Sequence, residues 1–528
     1  MRFLPVNLNA VLVELADLDQ TLALLASLQR QPVPDVQEIV PAARTLLITY
    51  RPTAQSMAGL VRAIAGRDLG ARVERSNTLV EIPVRYDGED LAEVAQMLGT
   101  TPAEVVRRHT SAEYTAAFTG FAPGFAYLSG GDTGLNVPRR STPRTRVPKG
   151  AVALAGLFSA VYPQNSPGGW QLIGSTALEM WDLGREVPAL LQPGFRVRFV
   201  DDAITSIAAS ACPSSAGGQK DPEPAGDGTA LIVRATGLQT LFQDLGRHGQ
   251  AGQGVSASGA VDQAACRTAN RLAGNAPGAA CLETVNGGLQ LQSRGDTVVA
   301  VTGADAPLTL TTAAGARWPV PRYQPLALAD GDVLTIGQPQ AGTRCYVAAR
   351  GGFAVQPVLG SCSTDTLARV GPPALAVGDV LALGAATGVV GMAELPPDGL
   401  PGTHEDVVLD VVLGPRTDWF TPEAVALFAR QRWQVTPQSN RVGLRLAGEV
   451  PLARAVAGEL QSEGTPTGAI QVPPSGQPVL FLADHPLTGG YPVIGSVALH
   501  HLDRAGQIPV GAWVRFNPIQ SFEPVEAP

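Results

Sequence analysis

Apolar and polar positions follow two rhythms over the first 87 residues. AVLVEL (10–15) predicts a strand, and DLDQTLALLASLQR (17–30) puts Leu18, Leu22 and Leu25 on one helical face, with Asp17 placed to cap it. VQEIV and TLLITY predict strands, TAQSMAGLVRAIAG a helix and TLVEIPVRY a last strand, so residues 1–87 read βαββαβ, the split-βαβ pattern. Residues 90–99 predict a helix. Thr101-Pro102-Ala103-Glu104 opens another, because a capping box with Pro at the first helical position answers two orphan amides. From 115 to 200, short apolar runs between Gly/Pro turns predict strands. Beyond 230, VDQAACRTANRLAG (261–274) predicts a helix between an Asp262 cap and a Gly274 stop, TPEAVALFARQ (421–431) another, and the remainder β. The expected fold class is α+β, mainly β.

Residues 212–229, CPSSAGGQKDPEPAGDGT, contain almost no large apolar side chain and predict a linker. The chain then divides into 1–87, 88–210, a linker at 211–229 and a larger part, 230–528. One motif crosses that division. GGWQLIGS (168–175) returns as GGYPVIGS (489–496), and Ala177-Leu178 and Asp182 return as Ala498-Leu499 and Asp503, all 321 positions on. Val197-Arg198-Phe199 answers Val514-Arg515-Phe516 at 317, and Val147-Pro148 answers Val472-Pro473 at 325. Offsets that drift by a few residues are what loop insertions produce, so two related domains are expected.

Composition narrows the classes. At 528 residues the chain exceeds one core, and a net charge of −8 gives no footprint for nucleic acid or an anionic membrane. No apolar run reaches membrane-spanning length, and the first twenty residues lack a signal-peptide layout, so a soluble cytoplasmic protein is expected. Five cysteines without a Cys-x-x-Cys spacing, and no His-Glu-x-x-His, predict no metal site. His500-His501 is the one adjacent histidine pair, and on a strand its members would face opposite ways. Signatures of P-loop, dinucleotide-binding, serine-hydrolase and protein-kinase chemistry are absent.

Five stretches carry candidate chemistry. In FTGFAPGFAYLSG (118–130), small residues let a ligand approach the backbone at Pro123 and Gly124, beside an aromatic wall of Phe121, Phe125 and Tyr127. VPRRSTPRTRVPKG (137–150) sets Arg139, Arg140, Arg144, Arg146 and Lys149 within eleven residues stiffened by Pro138, Pro143 and Pro148. Fixed guanidinium forks suit carboxylate or phosphate. YPQNSPGGWQLIG (162–174) and ADHPLTGGYPVIG (483–495) place Gln164 and Ser166, or Asp484, His485 and Thr488, beside glycine turns at Gly168, Gly169 and Trp170, or Gly489, Gly490 and Tyr491, and such turns present amides to anions. LQTLFQDLGRHGQAGQGVSASGAVD (238–262) holds Asp244 and Arg247. The last set is Arg416, Asn440, Arg441, Arg445 and Glu463, whose arginines need carboxylate partners or an anionic ligand if buried.

These motifs resemble a known pairing. Residues 1–210, with GFAPGFAYL, PRRSTPRTRVPKGAVALAG and YPQNSPGGWQLIG, resemble the allophanate-hydrolase-subunit-1 family. Residues 230–520, with TLFQDLGRHGQAGQGVSASGAVD, GPRTDWF, SNRVGLRL, SEGTPTGAIQVP and TGGYPVIG, resemble the subunit-2 family. The resemblance implies cyclophilin-like β-barrels behind the repeat: one at 88–210, and two barrel-like halves in 230–528, the last at about 405–520. It implies the B and C components of an ATP-dependent 5-oxoprolinase, fused, acting on a small lactam with a separate A component of the LamB/YcsF type. The same pair forms the carboxyltransferase part of biotin-dependent urea carboxylase, and one branch acts as a histidine-kinase inhibitor and its antagonist. Neither Lys149 nor Lys220 has the setting of a biotinylated lysine, so biotin is not expected on this chain. The expected cofactors are ATP and Mg2+. Arg139–Lys149, or Arg416, Arg441 and Arg445, would hold triphosphate and substrate carboxylate. Asp244, Glu463 or Asp484 would hold Mg2+ or act as base, with His485 as a further candidate. The resemblance leaves homo-oligomerisation open.

Overall fold

The computed structural model describes residues 1–70, 76–140, 142, 144–202 and 228–526. Most of the predicted linker (211–227), with Cys212 and Lys220, lies outside the described residues, as does Pro143. The N-terminal layer is a sheet of β1 (Arg2–Asn7), β2 (Ala10–Glu14), β3 (Val36–Pro41) and β4 (Thr45–Tyr50), in the order β1-β2-β4-β3. Helices α1 (Leu18–Arg30) and α2 (Met57–Ala65) lie on it. Asp17 caps α1 by accepting from the Gln20 amide, as the sequence predicts. Leu24, Leu28, Leu60 and Ile64 bury against Val11, Val13, Leu46 and Ile48.

One strand departs from the βαββαβ reading. The strand after α2, β5 (Leu79–Val84), leaves this layer for the next sheet, and β1 takes the edge place beside β2. The alternation explains it: Ile82 and Val84 point into the next core with Val197 and Phe199, while Phe3 of β1 fills the first.

After β5 come α3 (Leu91–Met97), α4 (Pro102–Ser111), β6 (Glu113–Thr119), β7 (Ala126–Ser129), β8 (Arg144–Val147), β9 (Ala151–Ala155), β10 (Phe158–Val161), β11 (Ser166–Gly168), β12 (Gln171–Ser175) and β13 (Arg196–Asp201). The sheet order is β12-β9-β10-β7-β6-β13-β5. Its ends meet at Arg85 and Ser175, which exchange two backbone bonds of 2.8 Å.

A middle region stacks two antiparallel sheets. It is built from β14 (Ala230–Thr236), β15 (Gln239–Gln243), β16 (Cys281–Val285), β17 (Leu289–Arg294), β18 (Thr297–Asp305), β19 (Leu308–Thr311), β20 (Arg317–Val320), β21 (Pro325–Leu328), β22 (Val333–Ile336), β23 (Ala341–Ala349) and β24 (Val380–Ala382). Helix α5 (Gln263–Ala273), capped by Asp262, packs on the second sheet.

The last region contains β25 (Asp406–Leu413), α6 (Pro422–Arg430), β26 (Trp433–Val435), β27 (Gly443–Ala447), β28 (Glu463–Gly464), β29 (Ala469–Gln471), β30 (Val479–Phe481), β31 (Thr488–Gly489), β32 (Val493–Val497), α7 (Leu502–Gly506) and β33 (Trp513–Gln520). It closes as a barrel ordered β32-β29-β30-β27-β26-β33-β25, strand for strand the order of the first. In both, the first and last strands run parallel, and both carry an outlying ribbon, β8 with β11 and β28 with β31.

The sequence repeat is therefore a duplicated barrel, and its glycine pair marks the passage from ribbon to barrel. One matched pair fails: Val147 ends β8, whereas Val472 follows β29. The structural equivalents are Pro148-Lys149-Gly150-Ala151-Val152 and Pro466-Thr467-Gly468-Ala469-Ile470, 318 apart. Gly150 and Gly468 share φ of 82° and 85°, a left-handed turn that a β-carbon would strain.

The two halves interlock. Asn7 Nδ2 donates to Val497 O (2.9 Å), Thr119 Oγ1 to Ala251 O (3.0 Å), and Val525 pairs with Phe3. A β-carbon at Gly120 would lie 2.5 Å from Thr488 Oγ1 of the second barrel. Gly120→Ala is expected to cost about 1–3 kcal/mol by overpacking this contact. An unchanged denaturant midpoint in the variant would contradict the docking.

Candidate functional site

Helix α1 does not pack fully onto the first barrel. A cavity of about 1640 Å3 remains between them, and residues 459–462 of the C-terminal half form part of its wall. One wall is the α1 stripe of Leu18, Leu22 and Leu25. The opposite wall is aromatic: Tyr127, Phe158 and Trp170, with Tyr127 stacked on buried Phe118 at 4.3 Å and set edge-on to Trp170 at 5.5 Å.

Arg139 supplies the charge beside this wall. Strand-like pairing of Val137 with Gly156, and the bond from Gln171 Nε2 to Pro138 O (3.0 Å), fix the backbone before it. Its Nη2 donates to Ser462 Oγ (3.1 Å), which lies 3.3 Å from the Tyr127 hydroxyl, and that hydroxyl lies 3.5 Å from Thr488 Oγ1. A β-carbon at Gly490 would sit 2.1 Å from Arg139 Nη1, so glycine there makes room for the guanidinium. Among the described residues, no carboxylate forms an ion pair with Arg139. A half-buried cation, the Ser462 and Tyr127 hydroxyls and an apolar wall form a receptor for a small anion with an apolar body.

The rest of the 137–150 segment is arranged otherwise. Arg140 and Arg144 both bind Asp90 (2.8 and 2.7 Å), which also accepts from the Leu172 amide, and Lys149 pairs with Glu179 at 2.7 Å. Arg146 is exposed and does not line the cavity. The five cations are thus no single cluster, because carboxylates distant in sequence divide them.

Of the glycine-turn candidates, Trp170 lines the cavity. Ser166 and Gly168 pair within the ribbon, and Gly169 O accepts from the Arg140 amide. Gln164 Nε2 reaches Leu367 O (3.1 Å), tying the halves together. Phe121 (φ 63°), Pro123 and Gly124 form the turn that docks Gln253, where the Gly124 amide donates to Gln253 O. Gly489 and Tyr491 line a small cleft with Arg416 and Glu463.

None of the four acid or base candidates lines the cavity. Asp244 accepts from Ser361 and Ser363 hydroxyls and the Cys362 and Gly246 amides. Glu463 pairs with Arg416, which also binds Glu14 (3.0 Å) across to the N-terminal layer. His485 is buried, with Nδ1 on Pro486 O and Nε2 on the Thr467 hydroxyl, and burial holds it below the usual imidazole range.

Asp484 is 0% exposed and accepts from Arg441 Nε and Nη2 (3.0 and 2.9 Å), Ser258 Oγ, and the Thr366 amide and hydroxyl. Arg441 also binds Glu283 and the Gly259 carbonyl. Burial opposes the charges, yet the pairing outweighs it, holding Asp484 low and Arg441 high. Arg247 is buried nearby, bonded to Ser363 O. The Asp484 and Arg441 contacts are the keys between middle region and second barrel. Held by these donors, and Glu463 by the Arg416 fork, Asp244, Glu463 and Asp484 do not fit as Mg2+ ligands. Asn440 closes its own turn onto the Val442 amide, and Arg445 is exposed on β27.

Two further buried carboxyls belong to this junction. Burial, then the charges of Asp503 and Asp484 respectively, push Asp262 and Asp365 up to about 6. Because the folded state holds these protons more tightly, stability from the pair is greatest below about pH 4 and falls as pH rises through about 6. Asp262→Asn is expected to flatten part of that decline in the thermal midpoint between pH 4.5 and 7.5. A variant with the full wild-type slope would contradict it.

Sequence reasoning missed Ser462, although it stands next to the candidate Glu463. The signal lies in the duplication: with Gly150 aligned to Gly468, Arg144 aligns to Ser462, on the ribbon strand's side of the barrel.

A family model described as "Carboxyltransferase domain, subdomain A and B" matches residues 253–518, and "Carboxyltransferase domain, subdomain C and D" matches 1–191. The chain is 37% identical over 289 residues to the C component of 5-oxoprolinase from Escherichia coli K12, spanning 54% of this chain and 89% of that one. It is 40% identical over 172 residues to the B component of 5-oxoprolinase from Escherichia coli O157:H7, spanning 32% and 79%. Urea amidolyase of Saccharomyces cerevisiae matches at 33% over 315 residues, 56% of this chain but 17% of that protein. The crystal structure of TTHA0988 superposes with a TM-score of 0.81 at 35% identity, covering 96% of this chain and 99% of that one. Among the described residues, no helix is long and apolar enough to cross a membrane.

Proposed function

This chain belongs to the carboxyltransferase-domain family, with its A–B and C–D parts joined in one polypeptide, and from that premise we propose that it is the fused B and C component of an ATP-dependent 5-oxoprolinase. The observation that carries the reading is Arg139: a cation without a carboxylate partner among the described residues, facing an aromatic-walled cavity. 5-Oxoproline is a small ring bearing one carboxylate. Its ring would lie on Tyr127 and Trp170, and its carboxylate on Arg139 and Ser462.

The lactam carbonyl is deactivated by amide resonance. Transfer of the terminal phosphoryl of ATP to the amide oxygen would end that resonance and release ADP; water then adds to the ring carbon, the C–N bond breaks with the nitrogen leaving as the protonated amine, and the acyl phosphate so formed is hydrolysed to glutamate and phosphate. The chain's own contribution is positioning and exclusion of water. The cavity far exceeds one lactam, which leaves room for the nucleotide. Completion of the hydrolysis is assigned to a separate protein of the LamB/YcsF type, and the cytoplasm is where this assembly would act. The same volume is compatible with a second reading, carboxyl transfer from biotin borne by another protein to an amide, which the family's description favours.

Calorimetry with 5-oxoproline and with 2-pyrrolidinone, the same ring without carboxylate, separates the roles. A charge-assisted pair predicts roughly 10–100-fold tighter binding of 5-oxoproline. Equal binding of the two lactams would remove Arg139 from the site. Amide-dependent decarboxylation of added carboxybiotin, without 5-oxoproline binding, would favour the second reading.

A further inference from the structure

The adjacent histidines do not lie on a strand. His500 and His501 fall in the short 3-10 turn Leu499–His501 between β32 and α7, and there both rings face one carboxylate. His500 Nε2 lies 2.9 Å from Asp410 Oδ2, and His501 Nδ1 lies 3.8 Å from the same oxygen. One ligand atom from each of the three residues lies within 4.8 Å of the other two. None of the three lines the cavity.

We propose that Asp410, His500 and His501 form a binding site for a borderline divalent cation of the zinc class, separate from the substrate cavity. Two imidazoles and one carboxylate are the donor types such ions take, whereas Mg2+ prefers an all-oxygen shell. The carboxylate is already oriented, because Asn517 Nδ2 donates to Asp410 Oδ1 at 2.7 Å. His501 Nδ1 accepts from the Asp410 amide (2.8 Å), so this nitrogen is unprotonated and carries a lone pair, 3.8 Å from the carboxylate oxygen. A bound ion takes that lone pair from the amide. Water completes the shell, since His500 is exposed.

The consequence is mechanical. The turn leads into α7 and Gln507. Asp503 of α7 accepts from the Gln263 amide at the start of α5, and Gln507 binds Asp262 and the backbone of Thr343 and Arg344. An ion here fastens β25 to the segment that holds the middle region against the second barrel.

The test is Zn2+ titration of the full, untagged chain by calorimetry, beside thermal midpoints in EDTA, Zn2+ and Mg2+. One Zn2+ per chain is expected. Asp410→Asn and His500→Ala are each expected to weaken binding at least about tenfold and to abolish the rise in midpoint that Zn2+, but not Mg2+, gives the wild type. Exposed His500 makes the second variant one that folds with an unchanged midpoint in EDTA. Absence of Zn2+ binding by the wild type, or wild-type affinity in both variants, would overturn the site.

Discussion

Arg441→Met is expected to destabilise the chain by about 3–5 kcal/mol, the cost of leaving the buried Asp484 carboxylate without its ion-pair partner. Asp484 and Glu283 are 0% and 4% exposed; Asp484 takes its ion pair from this guanidinium, Glu283 shares it with Arg344 at 3.6 Å, and the same guanidinium holds the Gly259 carbonyl. The loss would appear first where the middle region meets the second barrel, as earlier hydrogen exchange along residues 256–262. Adding Glu283→Gln is expected to restore part of the loss. Glu283 already accepts from the Tyr346 hydroxyl and the Val261 amide through its other oxygen, and an amide keeps an acceptor for them. A thermal midpoint unmoved by Arg441→Met would contradict the structural role assigned to this network and return Asp484 to the list of free carboxylates.

Arg139→Ala has the larger expected effect on activity. It removes the guanidinium that lines the cavity and donates to Ser462. The 5-oxoproline KM is expected to rise about 10–100-fold, the worth of a charge-assisted pair to a carboxylate. The fold should be intact, since Arg139 forms no ion pair among the described residues. Arg139→Lys keeps the charge but loses the fork and should fall between. Arg144→Ala behaves differently: it disturbs Asp90, the anchor of the Leu172 amide, and so lowers stability with little specific change in KM. An equal KM effect from the two substitutions would contradict this division of the basic segment.

Local signals in the sequence were reliable guides to local structure. Asp17, Thr101 and Asp262 each cap the helix expected of them, because a cap is decided within four residues. The repeated glycine-aromatic motif led to a duplicated barrel, since the strands it starts and the VRF strands occupy matching places in both. What stayed hidden depends on partners distant in the chain. Arg140 and Arg144 look like an anion site until Asp90 is brought beside them, and Asp484 looks like a free acid until Arg441, Ser258 and Thr366 converge on it. The placement of β5 turns on which of two cores Ile82 and Val84 enter, a choice that strand periodicity does not express. Ser462 enters the site because a loop of the second half closes a cavity of the first.

The most direct measurement is phosphate release from ATP by the purified chain with its LamB/YcsF-type partner, across a range of 5-oxoproline. Release that requires 5-oxoproline is expected, matched by glutamate, with the half-saturation point displaced upward in Arg139→Ala. Phosphate release indifferent to 5-oxoproline, or none with every component present, would contradict the assignment.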